Sequence, residues 1–138
     1  MQVLVLGGVA AGTKVAAKLM REDRSCEVTV LTKGKDISYA GCGLPYYVGG
    51  VIQAKSQLIV NTPEKFAALT GASVKTETEA VAVHPDRHVV EAKDLSTGEV
   101  AEYGYDKLVI ATGASPFVPP IQGLDLKNVF VMRTPDDA

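Results

Sequence analysis

The segment "QVLVLGGVAAGTKVAAKLMRED", Gln2 to Asp23, opens on a short apolar run and breaks at once into glycine. An apolar run of that length, bounded by a turn, is the pattern of a buried parallel strand. The turn "GGVAAG", Gly7 to Gly12, leads into Val15, Ala16, Leu19 and Met20 at helical spacing. "EVTVL", Glu27 to Leu31, is a second apolar run. Strand, turn, helix and strand make a βαβ unit of about 30 residues, the size of a nucleotide-binding half-domain.

Working outward, Thr62-Pro63-Glu64 is a helix start, with threonine as N-cap and proline at the first helical position. Gly71 is its expected stop, and "ASVKTE" after it reads as a strand. From Ala80 to Tyr105, β-rich runs are broken by "HPDRH" and "DLSTGE", which predicts a small antiparallel meander. Leu108 to Ala111 is a further buried strand running into a Thr-Gly turn, and Pro116, Pro119, Pro120 and Pro135 mark a connector. The expected fold class is α/β, a Rossmann-like βαβ with a central parallel sheet plus the antiparallel meander.

The 138 residues suffice for one domain with a core, and a net charge of -2 gives no sign of nucleic-acid binding. No apolar run is long enough to span a bilayer, and "MQVLVLGG" lacks the charged start of a secretory signal. The two cysteines, Cys26 and Cys42, form no CxxC pair, which argues against a disulfide scaffold or a zinc site. Reduced thiols and a cytoplasmic protein are the expectation. His84 and His88 flank the "PDR" turn with no further ligands at suitable spacing, and read as surface turn residues.

Glycines at a strand-to-helix turn let an anion approach the backbone N–H groups at the helix N-terminus, the way a dinucleotide pyrophosphate is held. In GxGxxG terms Gly7 and Gly12 fit the ends, but Val9 stands at the middle glycine position with Gly8 beside it. The competing reading is that the turn's glycines serve packing alone. The acidic residue expected about 20 residues on, for the ribose hydroxyls, is replaced by Thr32. Either that contact is weaker or a neighbour such as Lys33 or a backbone group compensates.

In "DISYAGCGLPYYVGG", Asp36 to Gly50, Cys42 lies between Gly41 and Gly43, with Pro45 where a helix should begin. A helix dipole there would lower the thiol pKa, and the two glycines would clear space for a flat ring or a bulky thiol. The competing reading is a small buried cysteine in a glycine-rich turn. Cys26, beside "RED" and just before a strand, reads as structural. Lys14, Lys18 and Arg21 share one face of the first helix, either as a solvated face or as a phosphate site on a ligand lying toward Cys42.

"GGVAAG", "ISYAGCGLPYYVGG", "NTPEKF", "YDKLVIATGASP" and "GLDLKNVFVMRTPDDA" stand in the order found in the single-cysteine flavoprotein reductases. The whole chain thus resembles the pyridine nucleotide-disulfide oxidoreductases related to coenzyme A-disulfide reductase, NADH-dependent persulfide reductase and NADH oxidase. "CGLPYY" resembles the first two more than the oxidases or peroxidases. The resemblance implies an FAD-binding domain with NAD(P)H as electron donor and Cys42 as the redox-active thiol. It implies flavin contacts at Gly7, Gly8, Ala10, Ala11 and Gly12, at Ala111, Thr112 and Gly113, at Val81 beside the adenine, and at Arg133. It implies coenzyme A contacts at Lys14, Lys18, Arg21 and Ser38. Gly41 and Thr70 depart from the family's asparagine and lysine, which leaves open a smaller thiol, disulfide or persulfide as the partner. It further implies that residues 1–138 are the first segment of the FAD domain. An NAD(P)H domain, a returning FAD segment and a homodimerisation domain would follow. The isolated segment is expected to be inactive, or to be no more than a nucleotide-binding module. An oxidase or peroxidase cycling a cysteine sulfenic acid is the alternative activity.

Overall fold

The computed structural model describes residues 1–138. Four parallel strands form one sheet in the order β3-β2-β1-β7, and three antiparallel strands form a second in the order β4-β5-β6. In the first sheet β1 is Gln2–Leu6, β2 Glu27–Leu31, β3 Ser73–Lys75 and β7 Lys107–Ile110. In the second, β4 is Thr78–His84, β5 Val89–Asp94 and β6 Val100–Gly104. The helices are α1 (Ala11–Glu22), α2 (Leu44–Val48) and α3 (Pro63–Thr70). Helix α1 begins two residues before the expected "TKVAAKLMRED" stretch, because the second half of the glycine turn is already helical.

Both faces of β1 and β2 are covered, so both strands read as apolar runs. Val3, Val5, Val28 and Val30 pack with Ala16 of α1 and Phe66 of α3. On the opposite face Leu4, Leu6 and Leu31 pack with Val90 and Ala92 of β5. The result is three layers, with helices, parallel sheet and antiparallel sheet in turn. Each fully buried Val or Leu contributes roughly 1.5–3 kcal/mol.

Turn chemistry acts as expected at α3. The Thr62 side chain accepts from the Lys65 N–H at 3.2 Å, Pro63 opens the helix, and Gly71 closes it in a left-handed conformation at φ 82°. The meander is present as β4-β5-β6, with a break in register between Ala80 and Ala82. Residues 111–138 contain no helix or strand. That tail is tied down by Lys55, which bonds both Asp36 and Asp136, and within it the Asp137 carboxylate accepts from the Arg133 and Thr134 N–H groups. The two bonded carboxylates hold the Lys55 ammonium pKa above its ordinary value. No helix is long and apolar enough to cross a membrane.

Candidate active site

The C-terminal ends of β1, β2 and β7 open into a cavity of about 1060 Å³. In an open parallel sheet this end is where ligands bind. The size exceeds that of common small-ligand pockets and suits an extended molecule.

One wall is the glycine turn. Gly7 adopts φ 110°, and a Cβ there would collide with the Ala111 carbonyl, so the end of β1 lies directly against the exit of β7. Gly7, Gly8, Ala10 and Ala11 line the cavity. Gly12 does not. A Cβ on Gly12 would strike the Gly7 carbonyl, so this glycine permits helix–strand packing and is not itself part of the cradle. Helix α1 has no capping side chain and no acidic residue in its first turn, which leaves N–H groups and the positive dipole end for an anion.

Beside the turn stand Thr32 and Lys33 at the end of β2, and across from them Ala111, Thr112 and Gly113 after β7. Arg133 also lines the cavity, its Nε donating to the Ala114 carbonyl at 2.9 Å. A Cβ on Gly113 would sit 3.0 Å from the Arg133 guanidinium. Val81 is not among the lining residues. It is half exposed on β4, and its neighbour Ala80 lines the cavity instead. The register break between Ala80 and Ala82 makes this one-residue offset invisible to simple strand alternation. Thr78 and Glu79 of β4 and Leu95 just past β5 also line the cavity, and sequence reading missed them. Only the packing of one sheet on the other brings them there.

Cys42 is a free, exposed thiol on the same cavity. It sits in a single 3-10 turn, Gly41–Gly43, ahead of the five-residue α2 with Pro45 in its first turn. The flanking glycines differ in role. A Cβ on Gly41 would meet nothing within 4 Å, so this residue leaves open space beside the thiol. Gly43 is buried, and a Cβ there would lie 2.7 Å from Leu58, so it makes room for the core and not for a ligand.

A groove of about 300 Å³ adjoins the cavity and shares Val9, Ala10 and Tyr39 with it. Lys14, Arg21 and Ser38 line the groove together. Lys18 does not. Its ammonium pairs with Glu22 one turn along, at the exposed surface. Burial pushes the Tyr39 phenol pKa up, with Arg133 acting against it, so Tyr39 stays a hydroxyl donor at neutral pH. Cys26 is elsewhere. It is buried in the helix-side core, with burial and the Asp23 carboxylate both pushing its thiol pKa up. His84 lies 2.7 Å from Glu91, and His88 stacks on Tyr105.

The glycine cradle, the open helix start and the cavity's volume fit a bound dinucleotide, with an exposed thiol on the same wall. The family model for pyridine nucleotide-disulphide oxidoreductases matches residues 1–138, and the chain belongs to that family. It is 36% identical over 137 residues to an NADH oxidase of Methanocaldococcus jannaschii, covering 99% of this chain and 30% of the relative. It is 32% identical over 136 residues to a coenzyme A disulfide reductase of Staphylococcus haemolyticus, with the same coverage, 99% and 30%. The solved NAD-dependent persulfide reductase from A. fulgidus superposes with a TM-score of 0.92 at 38% identity, covering 99% of this chain and 25% of that one. The chain therefore spans about 30% of the length of the curated relatives it matches.

Proposed function

We propose that residues 1–138 form the first segment of the FAD domain of an NAD(P)H-driven reductase, in which Cys42 is the redox-active thiol. The substrate is coenzyme A disulfide, a persulfide or a similar small disulfide. The observation that carries this reading is Cys42 exposed on the cavity lined by the glycine cradle, with the other cysteine buried in the core.

In this reading Gly7, Gly8, Ala10, Ala11 and the open start of α1 receive the FAD pyrophosphate. Thr32 and Lys33 face the adenosine end, while Ala111, Thr112, Gly113 and Arg133 border the path toward Cys42. FAD, when bound, supplies a relay for two electrons from NAD(P)H to sulfur. The Cys42 thiolate attacks one sulfur of a disulfide RS–SR, forming Cys42–SR and expelling RS⁻, which takes a proton from solvent. Two electrons and two protons then cleave Cys42–SR to the free thiol and RSH. With no second cysteine at hand, the oxidised form of Cys42 is a bond to the substrate and not a local disulfide. The groove bearing Lys14, Arg21 and Ser38 suits the phosphates of a coenzyme A-like thiol, with Tyr39 at the junction. A cytoplasmic homodimer of the full-length protein completes the proposal.

The test is anaerobic NAD(P)H oxidation by the natural full-length polypeptide with coenzyme A disulfide or a persulfide, with thiol product measured. Cys42→Ser should reduce turnover by about 1000-fold or more, as loss of a reacting nucleophile does. Similarity to an NADH oxidase favours one other reading, in which oxygen is the acceptor and Cys42 cycles as a sulfenic acid. Rapid oxygen uptake with no thiol product would replace the first reading with the second.

A further inference from the structure

A dinucleotide-binding βαβ unit ordinarily holds the adenosine ribose with a carboxylate at the end of its second strand. Here that position is Thr32, whose side chain lies over the backbone of Gly8 and is almost wholly buried. A hydroxyl offers one weak contact where a carboxylate accepts from two ribose hydroxyls.

A carboxylate reaches the same place from the other sheet. Glu79, near the start of β4, lines the cavity together with Thr32, Gly7 and Gly8. Its position is set by backbone splices between β4 and the exit of β2. The Thr78 N–H donates to the Thr32 carbonyl at 2.9 Å, and the Glu77 N–H donates to the Gly34 carbonyl at 3.3 Å. The carboxylate pairs with the exposed Lys33, whose ammonium lies 2.8 Å from Oε1. That bond leaves Oε2 without a protein partner.

We propose that Glu79 is the ribose-binding carboxylate of this cavity, accepting from the adenosine hydroxyls of the bound dinucleotide. The inference rests on the FAD reading of the cavity. It moves the ribose contact from the parallel sheet to the antiparallel one, so that the ligand bridges the two layers. Thr32 then serves to pack on Gly8 and to anchor β4 through its carbonyl.

The test is calorimetric titration of the apo full-length polypeptide with FAD, ADP and 2′-deoxy-ADP. Removing a charged hydrogen-bond partner weakens binding by about tenfold. Glu79→Gln should therefore raise the Kd for FAD and ADP by about that factor and abolish the preference for ADP over its 2′-deoxy form. Thr32→Glu alone should not tighten binding, since it sets two carboxylates on one ribose. In the Glu79→Gln background Thr32→Glu should restore the ADP preference. A Glu79→Gln protein that keeps wild-type affinity and preference overturns the proposal, as does tighter Thr32→Glu binding in the wild-type background. A wild-type protein that binds neither FAD nor ADP overturns the FAD reading itself, and this inference with it.

Discussion

Cys26 and Cys42 occupy opposite ends of the same parallel sheet. Cys26 lies at the N-terminal end of β2, enclosed by core side chains and bonded to Asp23. Cys42 stands beyond the C-terminal ends, exposed on the cavity wall beside an open glycine. Apolar packing makes one thiol a small hydrophobic residue, and the topology makes the other available to a ligand. Residue type is identical, so the difference in chemistry is due to position in the fold alone.

The largest effect expected from this contrast is in alkylation. Iodoacetamide should modify the native protein at Cys42, with Cys26 reacting at least about 100-fold more slowly because it must wait for an opening of the structure. Mass-spectrometric mapping with comparable labelling at both sites would erase the distinction. The glycines beside Cys42 sharpen it at the next level. Gly43→Ala should destabilise the fold by about 1–3 kcal/mol, since the new methyl group crowds Leu58. Gly41→Ala, with nothing near its Cβ, should shift urea stability by less than about 0.5 kcal/mol. It should instead slow thiol turnover by narrowing the approach to Cys42. Equal stability losses for the two would mean the loop is not divided as described.

The smallest effect is in pH dependence. Burial raises the Cys26 pKa in the folded state, so the folded chain holds a proton that the unfolded chain releases above about pH 8.5. The stability contribution is therefore complete below that pH and declines as pH rises toward the folded-state value. Urea midpoints compared at pH 7 and pH 10 should fall less for Cys26→Ala than for wild type. Parallel falls would place the alkaline loss elsewhere.

Much of this was readable before any coordinates. Apolar run, glycine turn, amphipathic helix and capped α3 were all legible because each rests on contacts within a few residues. The difference between the two cysteines was legible from their neighbours, and the structure has Cys42 exposed on the cavity and Cys26 buried. What spacing left open lies at points where distant elements meet. Gly12 and Gly43 looked like ligand clearance but serve packing against Gly7 and Leu58, partners that spacing does not reveal. On β4 it is Ala80 that lines the cavity, beside a break in strand register, and Lys18 pairs with Glu22 at the exposed surface.

Chain-local chemistry thus specified the elements of this protein, its glycine turn and the setting of its exposed thiol. The packing of the antiparallel sheet over the parallel one supplied the rest. It brought Thr78, Glu79 and Ala80 to the cavity at Thr32. Those placements depend on long-range burial of Leu4, Leu6 and Leu31 against Val90 and Ala92, a match between faces that no local pattern encodes.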